Sequence, residues 1–441
     1  MTNNRIYIYS PSFSSRLQYV IGEIFENQLG LKVLTTSDKL EFYLFNIPKL
    51  SYGEFINDTI PFIGAHGLLE EKDITNQNPK VSNFNEVPVI FQLKGDMLAN
   101  LPYDPLAAVF YMLTRYEEYL LYKADKLGRF SASQSLAFKN DFLNKPVVQL
   151  WVNQIKEILK EYYPEIHFKK QLYSFTASFD IDVAYAYKKR DFSWMFFSIS
   201  LDILKFNYKN IFNRILVLMG LKRDPYDTYK LIYSIVKKED IDTHFFIHCG
   251  NYFGRKDRSL IRNTAFWKRF IANMSKFGDV GIHPSYSSNN NEEHFNEELS
   301  LFKEVSPNYL KTSRQHYLKI KFPNTYRNLL YAGIKNDYTM GFADQCGFRA
   351  GTCMPFYFYD LDLEMTSSLK VHPFVIMDGT LKEYMKLNQE QSLQLFDYYK
   401  NEIKNVGGNF TILCHNNTFS NFAEWENWKH VFIKMLREGV V

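Results

Sequence analysis

FTASFDID, residues 175–182, sets a short apolar run against two aspartates, Asp180 and Asp182. Residues 172–179 lean apolar, as a buried strand does, and the carboxylates stand where that strand should end. Alternate residues of a strand leave the same face, so both carboxylates point one way, a few ångströms apart. Two like charges at the mouth of a buried element raise each other's pKa and need a reason in chemistry.

The same pattern recurs downstream. Short apolar strands near 175–179, 243–247, 280–283, 310–312, 338–342, 375–377 and 410–413 alternate with segments of helical spacing. Strand–helix alternation of this kind predicts a parallel sheet covered by helices, as a barrel or an open sheet. Residues 192–240 read as a long helical insertion between the first two strands. Its apolar face has two destinations, packing on the barrel or weak contact with a membrane surface through 192–219. The longest uncharged stretch there, 192–201, is far short of the roughly 20 residues of a membrane span, so no transmembrane segment is expected. Lys188-Lys189-Arg190 reads as a solvated basic run, and residues 287–291 (SSNNN) as a loop.

Residues 1–168 read as a separate, smaller α/β unit. RIYIY at 5–9 alternates as a strand, 17–29 has helical spacing, and 31–34 returns as a strand. VPVIFQL at 87–93 reads as another strand, with Pro88 near its start, where a missing N–H is tolerated. Asp104-Pro105 supplies an N-cap and an N1 proline for a helix to about Tyr122, and 146–163 is a second helix stopped by Pro164.

A chain of 441 residues has room for two domains. Hydrophobic content of 46% with 23% charged residues excludes a disordered chain. A net charge of +4 lacks the concentrated basic footprint of a nucleic-acid binder. MTNNRIYIYS has no charged region leading into an apolar one, so no secretory signal is expected. The four cysteines (Cys249, Cys346, Cys353, Cys414) form no CxxC pair, which fits a reducing, cytoplasmic setting. The 39 Phe and 31 Tyr supply core volume and stacking platforms of the kind sugar sites use, and an A/T-rich genome favours both residues as well.

In parallel α/β architectures the functional groups collect at the carboxyl ends of strands. Asp180 and Asp182 end one strand here, and His244 and His248 flank the next. His283 ends the strand of GDVGIHPSYSS; Arg314 and His316 follow a strand in TSRQHY; Asp378 follows PFVIM; His415 follows FTILC. Any one of these is an ordinary cap, turn or structural residue. The set and its order carry the reading.

On those motifs, residues 169–441 resemble the polysaccharide deacetylase (NodB-homology, carbohydrate esterase family 4) superfamily. DPLAAVFYMLTRYEEYL and DKLGRFSASQSLAFKNDFLNKPVV, within 104–148, resemble the extra N-terminal domain of unknown role found in one bacterial branch. The resemblance implies a distorted (β/α)7-type barrel preceded by the smaller α/β domain. It implies a metal-dependent hydrolase that removes acetyl groups from N-acetylated sugars of a glycan or glycan precursor. The implied cofactor is a divalent metal, Zn first, with Co, Ni or Mn as other candidates. Carried over position by position, SFDIDVAY gives Asp180 as base and Asp182 as metal ligand. The second motif, H-[ST]-x-x-H, reads HPSYS: His283 is kept and Ser287 stands where the second histidine belongs. Arg314 would orient the base, and His415 in ILCHN would be the acid.

Neutral serine is a poor ligand beside imidazole, and a catalytic zinc normally has three protein ligands and a water. His316, two residues after the orienting arginine, is the expected substitute, ahead of His244 and His248. Tyr317, Phe356 and Tyr357 are expected as an aromatic wall for the sugar, and Arg349 in GFRAGT as a contact to an anionic group. Two other readings stand. A catalytically degenerate carbohydrate-binding protein would follow from the missing histidine. A Mn-dependent nucleotide-sugar glycosyltransferase would use Asp-x-Asp but leaves His283, Arg314 and His415 without a role. With no export signal, the expected substrate is an intracellular precursor, nucleotide- or lipid-linked.

Overall fold

Two parallel sheets organise the chain. The structure, a computed structural model, describes residues 4–95, 98–188, 192–250, 257, 264–306 and 310–441, with nothing stated of the side chains of 192–194. Lys189 and Arg190 of the basic run lie outside the described residues.

The N-terminal sheet holds β1 (Arg5–Tyr9), β2 (Lys32–Thr36), β3 (Lys49–Tyr52) and β4 (Phe62–Ile63) in the order β2-β1-β3-β4, all parallel. The period of two explains β1: Ile6 and Ile8 enter the main core, while Tyr7 and Tyr9 pack with Phe42 and Ile60 on the other face. A small antiparallel hairpin follows, β5 (Ser82–Phe84) with β6 (Val87–Val89), so only the start of the expected 87–93 strand is realised. Asp104 caps the helix Pro105–Leu113, its side chain accepting from the Leu106 and Ala107 N–H groups. That helix stops short of Tyr122 because Arg115 turns left-handed, with φ 54°, before a 3-10 turn at Tyr116–Glu118.

The second sheet has nine strands: β7 (Ser174–Ile181), β8 (Asp242–His248), β9 (Asp279–His283), β10 (Thr312–Ser313), β11 (Asn336–Asp337), β12 (Phe356–Asp360), β13 (Met365–Val371), β14 (Ile376–Met377) and β15 (Asn409–His415). Their order is β12-β13-β11-β10-β9-β8-β7-β15-β14, parallel throughout except β12 against β13. Among the described residues the sheet therefore has two ends, and strand pairing does not close the expected barrel. The antiparallel β12–β13 hairpin takes the place next to β11, and the N-terminal unit covers its outer strand. Glu23 accepts from the Tyr357 N–H at 3.0 Å and the Tyr19 hydroxyl donates to the Tyr357 carbonyl at 2.8 Å. One continuous apolar core includes residues of both units.

The insertion forms three helices, Phe192–Leu204, Tyr208–Leu218 and Tyr229–Lys238. The third buries Ile232, Tyr233, Ile235 and Val236; the first two leave most of their apolar side chains exposed. Among the described residues no helix is long and apolar enough to cross a membrane.

Candidate active site

Strand register assembles the site. β15 runs beside β7 with His415 opposite Asp180, and β9 runs beside β8 with His283 opposite His248. Gly281 lets the next strand approach: a Cβ there would lie 2.3 Å from the Thr312 hydroxyl. Arg314 and His316 thereby arrive next to His283. Tyr317 and Leu318 then take φ 59° and 55°, unusual for non-glycine residues and costing about 1–3 kcal/mol each. Through that turn three successive residues, His316, Tyr317 and Leu318, line one pocket of about 290 Å³. Asp180, Asp182, His283 and His415 line the same pocket.

Asp180 is held from below. Arg314, fully buried, donates to Asp180 Oδ1 at 3.0 Å, to Ser178 Oγ at 2.8 Å and to the Tyr338 carbonyl at 2.8 Å. Its guanidinium also lies 4.6 Å over the Phe246 ring. A planar cation tied at three points fixes the carboxylate it holds.

Asp182, His283 and His316 offer three ligand atoms within 4.8 Å of one another. His283 Nδ1 lies 2.6 Å from the Arg314 carbonyl, which can only accept, so Nδ1 carries a proton. Nε2 is left facing Asp182 Oδ1 at 3.2 Å. His316 Nε2 lies 3.5 Å from Asp182 Oδ2. Asp182 Oδ1 is buried with no hydrogen-bond partner, an orphaned acceptor inside a ring of nitrogens. Two imidazoles and a carboxylate around an open side match the donor set of a catalytic zinc, so these residues fit a divalent cation. Burial opposes charge on His316, yet Asp182 and then Asp257 outweigh it and push its pKa up to about 9.

Asp257 and Ser287 explain each other. Ser287, at the position of the expected second histidine, donates its hydroxyl and its N–H to Asp257 Oδ2, and the Tyr286 N–H donates to Oδ1 at 2.8 Å. Asp257 Oδ1 in turn faces His316 Nδ1 at 3.5 Å. The serine thus holds a carboxylate behind the His316 imidazole. His248 adds to this layer: its Nδ1 donates to the His283 carbonyl at 3.2 Å and its buried Nε2, 3.9 Å from Asp257 Oδ1, has no hydrogen-bond partner. His248, Asp257 and His316 form a second set of donors with ion-binding spacing.

Across the pocket, His415 Nδ1 lies 2.8 Å from Asp378 Oδ1 and its Nε2 lies 3.7 Å from Asp182 Oδ2. Burial opposes its charge, but Asp378 and then Asp182 push His415 up to about 10, so it is protonated at neutral pH.

Three sequence expectations are corrected. Arg349 is buried and spent on Glu118, Nε to Oε1 at 2.9 Å and Nη2 to Oε2 at 2.5 Å, and on the Gly341 carbonyl, so it ties the two units together and does not line the pocket. Phe356 is 3% exposed inside β12, packed in the core. Tyr357 sits on the same edge strand under Lys370, also away from the pocket. The pocket's own arginine is Arg129, from the N-terminal unit, which donates to the Tyr317 carbonyl at 3.0 Å. Trp425 and Tyr384 complete the aromatic wall that Tyr317 begins. His244 lies at the opposite end of β8, bonded to the Tyr338 hydroxyl at 3.1 Å. Nothing in the sequence singles out Arg129 or Asp257; each is one charge among several in its stretch.

Residues 6–164 match a family of unknown function, DUF7033. No curated protein matches the chain. Among solved structures it is similar to a protein of Mycobacterium smegmatis provisionally described as a polysaccharide deacetylase (11% identity, 61% of this chain and 84% of that one, TM-score 0.38). It is also similar to a polysaccharide deacetylase of Bacillus cereus (13%, 61% and 88%, TM-score 0.30). A third is a carbohydrate esterase family 4 pseudoenzyme of Bacillus anthracis (10%, 62% and 63%, TM-score 0.29). Likenesses this distant assign no activity to the chain.

Proposed function

We propose that the protein is a metal-dependent hydrolase that removes acetyl groups from N-acetylated sugars of a glycan or glycan precursor. One observation carries the reading: a three-donor site, Asp182–His283–His316, lies between a carboxylate fixed by Arg314 and an imidazolium fixed by Asp378.

A divalent cation held by those three residues would polarise the acetyl carbonyl and bring a water's pKa towards about 7. Asp180, with Oδ1 engaged by Arg314, has Oδ2 left to accept the proton of the attacking water. His415, charged at neutral pH, gives its Nε2 proton to the departing amine nitrogen, while Asp378 keeps the other ring nitrogen protonated. Tyr317, Tyr384 and Trp425 line the pocket and give it aromatic surface for a sugar ring, while Arg129 is engaged by Asp125 and the Tyr317 carbonyl and braces that wall. The Asp-x-Asp transferase reading gives no work to His415 or Arg314.

The test is acetate release from N-acetylated oligosaccharides by protein loaded with Zn, Co, Ni or Mn, beside Asp180→Asn. Metal-dependent release that the variant loses supports the reading. Stoichiometric metal with no release from any acetylated glycan moves it to the degenerate, sugar-binding alternative.

A further inference from the structure

Two helices of the insertion, Phe192–Leu204 and Tyr208–Leu218, form a hairpin with a polar network, Ser198, Asp202, Asn210 and Arg214, between them. Arg214, only 4% exposed, donates to Asp202 Oδ2 at 2.7 Å and to the Ser198 hydroxyl. Asn210 donates to both Asp202 oxygens, at 2.8 and 2.9 Å. The apolar side chains point the other way: Phe196 is 65% exposed, Leu204 73%, Phe206 77%, Phe212 62% and Met219 67%. Nearly half of the exposed large apolar side chains among the described residues fall within 196–221. A hairpin built for water has the opposite arrangement, and a patch of this kind marks an interface.

Charge identifies what covers it. Lys205, Lys209 and Lys222 are exposed on or beside the hairpin, while Arg223, also exposed, is paired with Asp227 at 3.1 Å. The one carboxylate within 195–223, Asp202, is committed to Arg214 and Asn210. A second copy of the same surface would bring like charges together. Lipid phosphates would meet cations, and the acyl boundary would meet phenylalanine and leucine. We infer that this hairpin docks on an anionic membrane surface, lying on it rather than crossing it.

The hairpin is seated against the sheet domain. Val217 is fully buried beside Tyr187 and Ala186, with Tyr226 and Phe422 packed around them, and Tyr187 lies under Arg214 at 4.9 Å. The chain leaves for the hairpin past Val183 and returns through Tyr226, and both residues line the catalytic pocket. Docking would thus act through segments that border the pocket. On the reading proposed above, that suits a glycan carried on a lipid. Vesicle binding is measured without any activity assay, so either idea can fail alone.

The experiment is sedimentation of the full chain with vesicles of phosphatidylcholine, with and without phosphatidylglycerol, at low and high salt. The chain is expected to pellet with the anionic vesicles at low salt and to stay in solution with phosphatidylcholine alone. Phe206→Glu with Phe212→Glu should lower the bound fraction roughly tenfold or more, with an unchanged melting temperature. Lys205→Glu with Lys209→Glu gives a second test on the same face, without touching its apolar groups. No pelleting, equal pelleting with both lipids, or full binding by both double variants overturns the inference. A dimer in light scattering that the phenylalanine variant dissociates, with no vesicle binding, assigns the surface to a second copy instead.

Discussion

Asp378 holds His415 at two points: Oδ1 accepts from the ring Nδ1 at 2.8 Å and Oδ2 accepts from the backbone N–H at 2.6 Å. Ring and chain are oriented by one carboxylate, so the Nε2 proton points into the pocket whenever the histidine is charged. Asp378→Asn puts an amide where that acceptor stood and lets the ring take the other tautomer. The expected result is a kcat lower by about 10²–10⁴, comparable with His415→Ala, with KM and metal content unchanged. Wild-type kcat in Asp378→Asn would remove His415 from its role as acid.

Metal affinity should depend on a residue that touches no metal. Asp257 backs His316 as a carboxylate behind a ligating imidazole, and Ser287 anchors it. Asp257→Asn is expected to weaken metal binding by about 10- to 100-fold, read by competition with a chelator. Ser287→Ala should lose less, because the Tyr286 and Ser287 N–H groups still hold Asp257. His316→Ala should lose the metal altogether, and unchanged occupancy in that variant would mean the third ligand lies elsewhere.

Much of this site was legible from strand ends, because a parallel sheet fixes where strand-terminal residues go. Asp180, Asp182, His283, Arg314, His316, Tyr317 and His415 do meet, and their order along the chain was enough to anticipate it. What failed was distance from that logic. The glycines around Arg349 suggest a rim loop, and Phe356 and Tyr357 suggest a sugar wall, on residue type alone, with no strand end to place them. Arg349 instead meets Glu118, and that pairing depends on packing between units far apart in sequence. The β12–β13 hairpin was missed for a similar reason. MTSSLKV, at β13, shows little apolar alternation, and β12 pairs antiparallel in a region read as parallel.

Arg349 and Glu118 are both essentially buried, at 2% and 1% side-chain exposure, so the pair answers to desolvation. Arg349→Met leaves Glu118 with Arg115 as its remaining partner, 2.8 Å away. Unfolding stability should fall towards the lower end of about 3–5 kcal/mol, measured by denaturant titration. Metal content at a permissive temperature should not change. A loss of metal without a loss of stability would return Arg349 to the site.

Glu23 gives the chain a pH dependence of stability. Burial against the β12 edge, opposed by the hydrogen bond from the Tyr357 N–H, pushes its carboxyl up to about 7 from an ordinary 4.5. Between those values the folded chain holds a proton that the unfolded chain has lost, so stability falls as pH rises through the window. Glu23→Gln keeps an acceptor for Tyr357 and cannot ionise. It should be stabilising above pH 7, by up to about 3 kcal/mol, with the advantage shrinking towards pH 5. A melting-temperature difference that does not vary between pH 5 and pH 8 would contradict this account.

The donors Asp182, His283 and His316 come from the end of β7, the end of β9 and the turn after β10, with His415 later still. Neighbouring strands β9 and β10 bring His283 beside His316, but Asp182 joins them only when β7 and β8 have paired in register, in contrast to a zinc finger, whose ligands lie close in sequence and fold around their ion. A growing chain on the ribosome therefore offers no nest for a cation until the sheet from β7 to β10 has formed in register. If these donors hold an ion as proposed, loading would be a late event, made by an already folded protein drawing on the cell's exchangeable metal pool, and the ion would reflect that pool as much as the ligands.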